Sequence, residues 1–262
     1  MTVSPVEPSM LANAFDILIR KVAMSSEPRP KKNAATPNPI IMVIYGECSF
    51  LGYARLGEKS WTNVNISSRR FYDIAFYQGK FYAIDCHGDV FVCDIDDDGR
   101  AEQIKGTKIA SCPPKRESGD FDMKYLVESD SGLWLVERFL KTRYVKPPNH
   151  TRRIFKYCTT HFLVSKLELN YSGDCVETPC RCIPQKSLGD EAFFIGSASS
   201  VSLQSSEYIR PNSIYFTDNV SELFNHSGGG HDMGIFSMET GTIEPHFQGK
   251  SLHPISPPLW YI

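Results

Sequence analysis

From residue 40 onward, short apolar and aromatic runs alternate with turns that carry glycine. Residues 72–78 end at Gly79, residues 81–85 end at the His87-Gly88 turn, and residues 90–94 follow. Runs of Phe, Tyr, Val and Ile this short, bounded by glycine, predict β-strands joined as hairpins. The same spelling recurs at 124–128, at the Ser131-Gly132 turn and at 133–139, then at 162–169 before Ser172-Gly173. It closes with 214–217, 234–238, the Thr240-Gly241 turn and 243–247. Roughly 16 to 18 strands are expected in all.

No apolar stripe with a 3.6-residue period competes with this pattern. The best helical candidate is residues 10–22, where Met10, Leu11, Ala14, Phe15, Leu18 and Ile19 share one face. Residues 17–24 read equally well as a strand. Residues 25–39 hold Pro28, Pro30, Pro37 and Pro39 with Lys31 and Lys32, and read as a linker. Two further loose segments are 113–120 and 227–231, the latter with Gly228, Gly229 and Gly230 in a row. The chain therefore divides into an N-terminal segment and linker, 1–39, and a β-domain, 40–262. A two-sheet sandwich uses about half as many strands, whereas a propeller uses four per blade. Blades of about 45 residues make about five from residue 40. The fold class expected is all-β, a β-propeller of four-stranded blades.

Composition adds mostly exclusions. The formal net charge is −2, with 28 Lys+Arg against 30 Asp+Glu. Such a balance argues against nucleic-acid binding as the main activity, which needs clustered positive charge, and against a polybasic membrane anchor. The longest fully apolar stretch, 40–45, falls far short of the roughly 20 residues of a membrane helix. No secretory leader is evident, so a cytoplasmic or nuclear location and reduced thiols are expected for the eight cysteines. Cys86 and Cys93 lie in apolar-aromatic runs and read as small core residues. Cys175, Cys180 and Cys182 cluster, but without paired Cys-x-x-Cys spacing zinc is not expected. Sequons begin at Asn65, Asn149, Asn170, Asn219 and Asn225 and matter only on a secretory route.

The sharpest local motif is Asp94-x-Asp96-x-Asp98-Gly99-x-x-Glu102. Alternating carboxylates before a glycine match the first half of a calcium loop, but position twelve is Lys105 and no helices flank it. The favoured reading is a solvated acidic hairpin tip. No Gly-x-Ser-x-Gly elbow is present. His231-Asp232 is an adjacent pair whose side chains diverge, and His231 reads as an exposed loop residue. The triple glycine lacks the Lys-Ser/Thr of a phosphate loop. Trp61, Trp134 and Trp260 are read as packing between blades, with a few aromatics left for a hot spot on one rim.

Several segments in order carry a resemblance. They are IMVIYG (41–46), ARLGEKSW (54–61), YDIAFYQGKFYAID (72–85), DEAFFIG (190–196), SIYFTDN (213–219), DMGIFSMETGTIEP (232–245) and PPLWYI (257–262), with IRKVAMSSEP (19–28) upstream. The sequence resembles the plant KIB-type β-propeller family, also called domain of unknown function 295, over about residues 18–262. The resemblance implies a kelch-like, F-box-associated propeller that recognises a protein substrate for a cullin ubiquitin ligase. Typical members carry an N-terminal F-box that binds a Skp-type adaptor. Here the first 17 residues are too few for that box, and the opening blades read as incomplete. The expected partner is therefore an unnamed protein, the adaptor contact is in doubt, and neither nucleic acid nor membrane is expected. An incomplete ring exposes strand edges, so closure as a smaller ring, cover by the N-terminal segment, or association is expected. No catalytic, cofactor-binding or metal-ligating residue and no cofactor is assigned. The alternative is a propeller enzyme for a sugar or other small polar substrate, which needs acidic residues at a central pocket. A third option is a propeller stabilised by calcium at Asp94, Asp96, Asp98 and Glu102.

Overall fold

A computed structural model describes residues 19–25, 38–94, 104–112, 120–146, 154–169, 180–197, 200–219 and 231–245. These residues form 17 strands and no helix. The residues 10–18 of the helical candidate lie outside the described ones. Its second half is strand β1, Ile19–Met24, which pairs antiparallel with β2, Ile40–Tyr45.

Four sheets stand side by side as blades of a propeller. Blade 1 is β1, β2, β3 (Phe50–Arg55) and β4 (Thr62–Asn63). Blade 2 is β5 (Phe71–Tyr77), β6 (Lys80–Asp85), β7 (Asp89–Asp94) and β8 (Lys105–Ser111). Blade 3 is β9 (Asp120–Ser129), β10 (Gly132–Val145), β11 (Ile154–Glu168) and β12 (Arg181–Gln185). Each is an antiparallel meander. Blade 4 departs from it. Its order is β14 (Val201–Gln204), β13 (Glu191–Ile195), β15 (Ser213–Phe216), β16 (Gly234–Ser237), β17 (Ile243–Glu244), and β13 pairs with β15 in parallel. A parallel pair needs a crossover, and here the crossover contains β14 itself. The count of about five blades is thus corrected to four. The correction follows from the long hairpin of blade 3 and from the fifth strand of blade 4, each of which uses more chain than an average blade.

The middle strands are apolar at consecutive positions because each of their faces packs against a different blade. In β6, Phe81 and Ala83 point into the core between blades 1 and 2, with Met42, Ile44 and Phe71. Tyr82 and Ile84 point into the core between blades 2 and 3, with Leu126 and Leu135. In β10, Leu133 and Leu135 join that second core, while Trp134 and Val136 join a third with Phe193, Ile214 and Phe216. Full burial of such a side chain stabilises by about 1.5–3 kcal/mol. The far face of blade 4 carries a fourth cluster, Ala192, Phe194, Tyr215 and Ile235. On blade 1, Val22, Met24 and Phe50 are exposed.

Candidate interaction surface

The first strands of blades 2 and 3 and the start of β14 bring one carboxylate to the middle of the fold. Asp73 on β5 is fully buried. It pairs with Lys21 Nζ of blade 1 at 3.2 Å. It also accepts the Leu126 N–H of blade 3 at 3.0 Å and the Ser200 hydroxyl beside β14 at 3.2 Å. Residues from all four blades thus meet at one side chain. Burial raises the Asp73 carboxyl above its ordinary range, and the Lys21 charge and the N–H donors only partly offset this.

A second buried network joins blades 3 and 4. Arg138 on β10 is fully buried. Its Nε donates to Thr159 Oγ1 at 2.7 Å, and Nη1 donates to the Thr217 carbonyl at 2.8 Å. Nη2 donates to both the carbonyl and Oδ2 of Asp232, each at 2.9 Å. Asp232 also accepts the Thr159 N–H at 3.0 Å, so it caps the outer edge of β11 where another strand would pair. Asp218 accepts the Tyr157 hydroxyl at 2.8 Å and the N–H groups of His231 and Asp232 at 3.0 and 3.1 Å. Burial, then the Asp218 charge, pushes the Tyr157 phenol well above its ordinary value. The His231 ring lies over Tyr157, centroids 4.6 Å apart. The reading of 231–232 as a simple loop pair is therefore corrected for Asp232, whose partners lie up to 94 residues away. The one local hint was Glu137-Arg138, a charged pair inside an apolar strand.

Two clefts open at opposite ends of the strands. The first, of about 500 Å³, lies at the ends of β5 and β9 beside β14 and includes Gln78, Glu128, Asp130 and Glu191. Glu191 is engaged by the hydroxyls of Ser129, Ser131 and Ser202 at 2.9–3.2 Å. Partial burial, then the neighbouring Asp130, raises the Glu128 carboxyl. The second cleft, of about 590 Å³, is lined by Arg69, Arg70, Asp85, His87, Asp89 and Lys108. Asp85 is fixed there by the N–H groups of His87 and Asp89, each at 2.9 Å. Burial works to raise the Asp89 carboxyl, but the bonds from Lys108 and Ser111 prevail and lower it.

Among the motif residues, Asp94 ends β7 and pairs with Lys80 at 2.5 Å. Asp96, Asp98 and Glu102 lie outside the described residues. So do Cys175, Trp260 and the triple glycine. Trp134 packs edge-on against Phe193, centroids 5.5 Å apart, whereas Trp61 is half exposed. Cys93 is buried, and desolvation lifts its thiol to about 12. Cys86 sits in the turn after β6, only partly buried.

The structure brings one pair of cysteines together that sequence spacing did not foresee. Cys112, just past β8, and Cys182 on β12 sit in disulfide contact between blades 2 and 3, Cα atoms 6.2 Å apart, within the range a disulfide spans. One bond between blades and one within blade 2 place the pair: Cys180 donates its N–H to Ile109 O of blade 2 at 3.0 Å, and Cys112 donates to Gly88 O of its own blade at 2.7 Å. Gly88 itself has φ +82°, and a Cβ there would lie 2.0 Å from the Cys112 carbonyl, so only glycine fits. Spacing could not reveal a pair 70 residues apart. The bond is expected to stabilise by about 2–4 kcal/mol. Thiol alkylation with mass spectrometry, with and without dithiothreitol, checks its presence, and the fall in Tm on reduction checks its contribution. A reducing compartment would hold the pair as thiols.

The sequence model of the KIB1-4 beta-propeller family matches residues 3–237. The match begins upstream of the resemblance read from residue 18 and stops before PPLWYI. Three similar proteins come from Arabidopsis thaliana. The putative F-box protein At5g55150 is 27% identical over 214 residues, covering 81% of this chain and 53% of that protein. The F-box protein SKIP23 is 26% identical, covering 74% and 46%. The putative F-box protein At3g25750 is 28% identical, covering 72% and 45%. This chain thus spans about half the length of the curated relatives it matches. No solved structure matches. With four blades, three of them plain meanders, and a family match over most of its length, the chain belongs to the KIB1-4 beta-propeller family.

Proposed function

We propose that this chain is a non-enzymatic protein-interaction propeller, the substrate-recognition part of a plant ubiquitin-ligase receptor of the F-box type. The observation that carries this reading is the KIB1-4 propeller match, joined to relatives that are named as F-box proteins. The buried polar side chains fit it. Asp73, Arg138, Asp218 and Asp232 spend their hydrogen bonds on one another and on backbone groups between blades, which leaves the exposed faces for a partner. A cytoplasmic or nuclear location belongs to the same proposal.

The test is to express the tagged chain in plant cells, beside a full-length F-box relative, and to identify what co-purifies. Enrichment of a specific protein is the expected result. Recovery of a Skp-type adaptor and a cullin with it assigns a ligase receptor, and their absence assigns a free binding module. Recovery of chaperones alone overturns the proposal.

One observation favours a second reading, an enzyme acting on a sugar or small polar substrate. Glu128 lines a cleft with its carboxyl held above the ordinary range, as a general acid requires. Hydrolysis of chromogenic glycosides that disappears in Glu128→Gln would establish it.

A further inference from the structure

The β10–β11 hairpin is longer than the blade that holds it. β9 accompanies β10 only as far as Lys141. β12 accompanies β11 only over Val164–Glu168. Beyond those limits, among the described residues, 142–145 and 154–157 have only each other as strand partners. This ribbon rises from the side where β9 begins, the side that also holds the cleft of Arg69, Arg70 and His87. Its inner face is held by blade 4: Tyr157 bonds Asp218, and Thr159 bonds Asp232.

Its outer face is different. Lys141, Arg143 and Lys156 are exposed, and so is Lys146 just beyond β10. Arg143 and Lys156 are directly opposite each other across the two strands. Like charges in that position destabilise an antiparallel pair. None of the four makes an ion pair with a described residue. From 141 to 157 the sequence holds six Lys or Arg and no Asp or Glu, although the whole chain carries −2. The Cα atoms of directly paired residues lie about 5 Å apart, well inside one Debye length, so the fields of the two side chains add. The inner face of the extension packs through Tyr157, whereas the charges of its outer face meet no described carboxylate.

We infer that the outer face of the β10–β11 ribbon docks a carboxylate-rich segment of the protein partner. The inference rests on the interaction-module reading and names the partner's chemistry. Protein is favoured over nucleic acid because the strip is short and the rest of the chain carries an acidic balance, which repels a long polyphosphate.

The experiment measures binding of a labelled poly-glutamate peptide to the full chain by fluorescence anisotropy. A labelled single-stranded DNA of equal charge runs in parallel. Wild type is expected to bind the peptide, more weakly as salt rises. Arg143→Glu with Lys156→Glu is expected to weaken binding by about tenfold. Reversal of the exposed pair Arg181 and Lys186 to glutamate is expected to change it by less than about twofold. Arg143→Gln removes a repulsion, so it is expected to melt no lower than wild type while also binding less, which separates lost docking from lost folding. Equal binding by the reversed ribbon, or preference for the DNA, overturns the inference. The co-purification separates the two readings. A ribbon variant that still captures the wild-type partner overturns the ribbon alone, whereas a wild type that captures nothing specific overturns the module.

Discussion

Arg138→Met is expected to lower the unfolding free energy by about 3–5 kcal/mol, read from urea denaturation at neutral pH. The loss comes from the groups left behind rather than from the arginine itself. Asp232 keeps a buried carboxylate with no cation, and the Thr217 carbonyl and Thr159 hydroxyl each lose a donor. A methionine fills much of the volume but none of the bonds. Arg138→Lys is expected to recover little, because one ammonium cannot reach Thr159, Thr217 and Asp232 from a single point as the planar fork does. A double-mutant cycle with Asp232→Asn isolates the coupling, with an expected interaction of at least about 1 kcal/mol. Loss of less than about 1 kcal/mol in Arg138→Met would show that the network is dispensable for holding blades 3 and 4 together.

Asp73→Ala is expected to be of similar size, about 3–5 kcal/mol, since the buried Lys21 ammonium loses the Asp73 carboxylate. The Leu126 N–H and the Ser200 hydroxyl lose their acceptor as well. Asp73→Asn keeps an oxygen for the Leu126 N–H and is expected to fall between the two. The pH dependence has a definite sign. The folded-state carboxyl lies above 3.8, its ordinary value, because of burial. The native protein therefore takes up the proton before the unfolded chain does. The Asp73 contribution to stability grows as pH falls from the raised value towards 3.8, and it diminishes as pH rises through that window. Urea titrations of wild type and Asp73→Ala across this range should diverge towards acid. Parallel curves would refute the raised carboxyl.

The blades were legible because their signals are local. The apolar run and turn expected at 72–78 and 81–85 are β5 and β6 within one residue. The same holds for β7, whose run was expected at 90–94. The hairpin of blade 3 was only half legible. Its strands were expected at 133–139 and 162–169, but they run Gly132–Val145 and Ile154–Glu168. The extensions interleave Lys and Arg with apolar residues, and they form a small core of their own at Leu140 and Tyr157, so their pattern does not continue that of the main blade. The parallel pairing of β13 and β15 leaves no trace in a pattern of alternating positions, since either direction of pairing buries the same residues. Asp73, Arg138 and Asp232 were invisible for another reason. Their partners are supplied by other blades, and beyond the charged Glu137-Arg138 pair in an apolar strand nothing in the residues beside them announces a distant cation or carboxylate.

The two-sided burial of the middle strands leaves them an ambiguity. In a sheet with one wet face, a slip by one residue carries apolar side chains into water and is rejected at once. In β6, a slip would only exchange Phe81 and Ala83 with Tyr82 and Ile84 between two greasy interiors. Hydrophobicity alone barely distinguishes the correct alignment from the shifted one. The buried polar side chains do. Arg138 on β10 finds its partners on the blade 4 side of its strand, and Asp73 on β5 finds its own at the middle of the fold. A shift would drive each into an apolar interior with its charge unmatched. They act as alignment pins, and their substitution by apolar residues would loosen which frame a strand adopts as well as how tightly it is held.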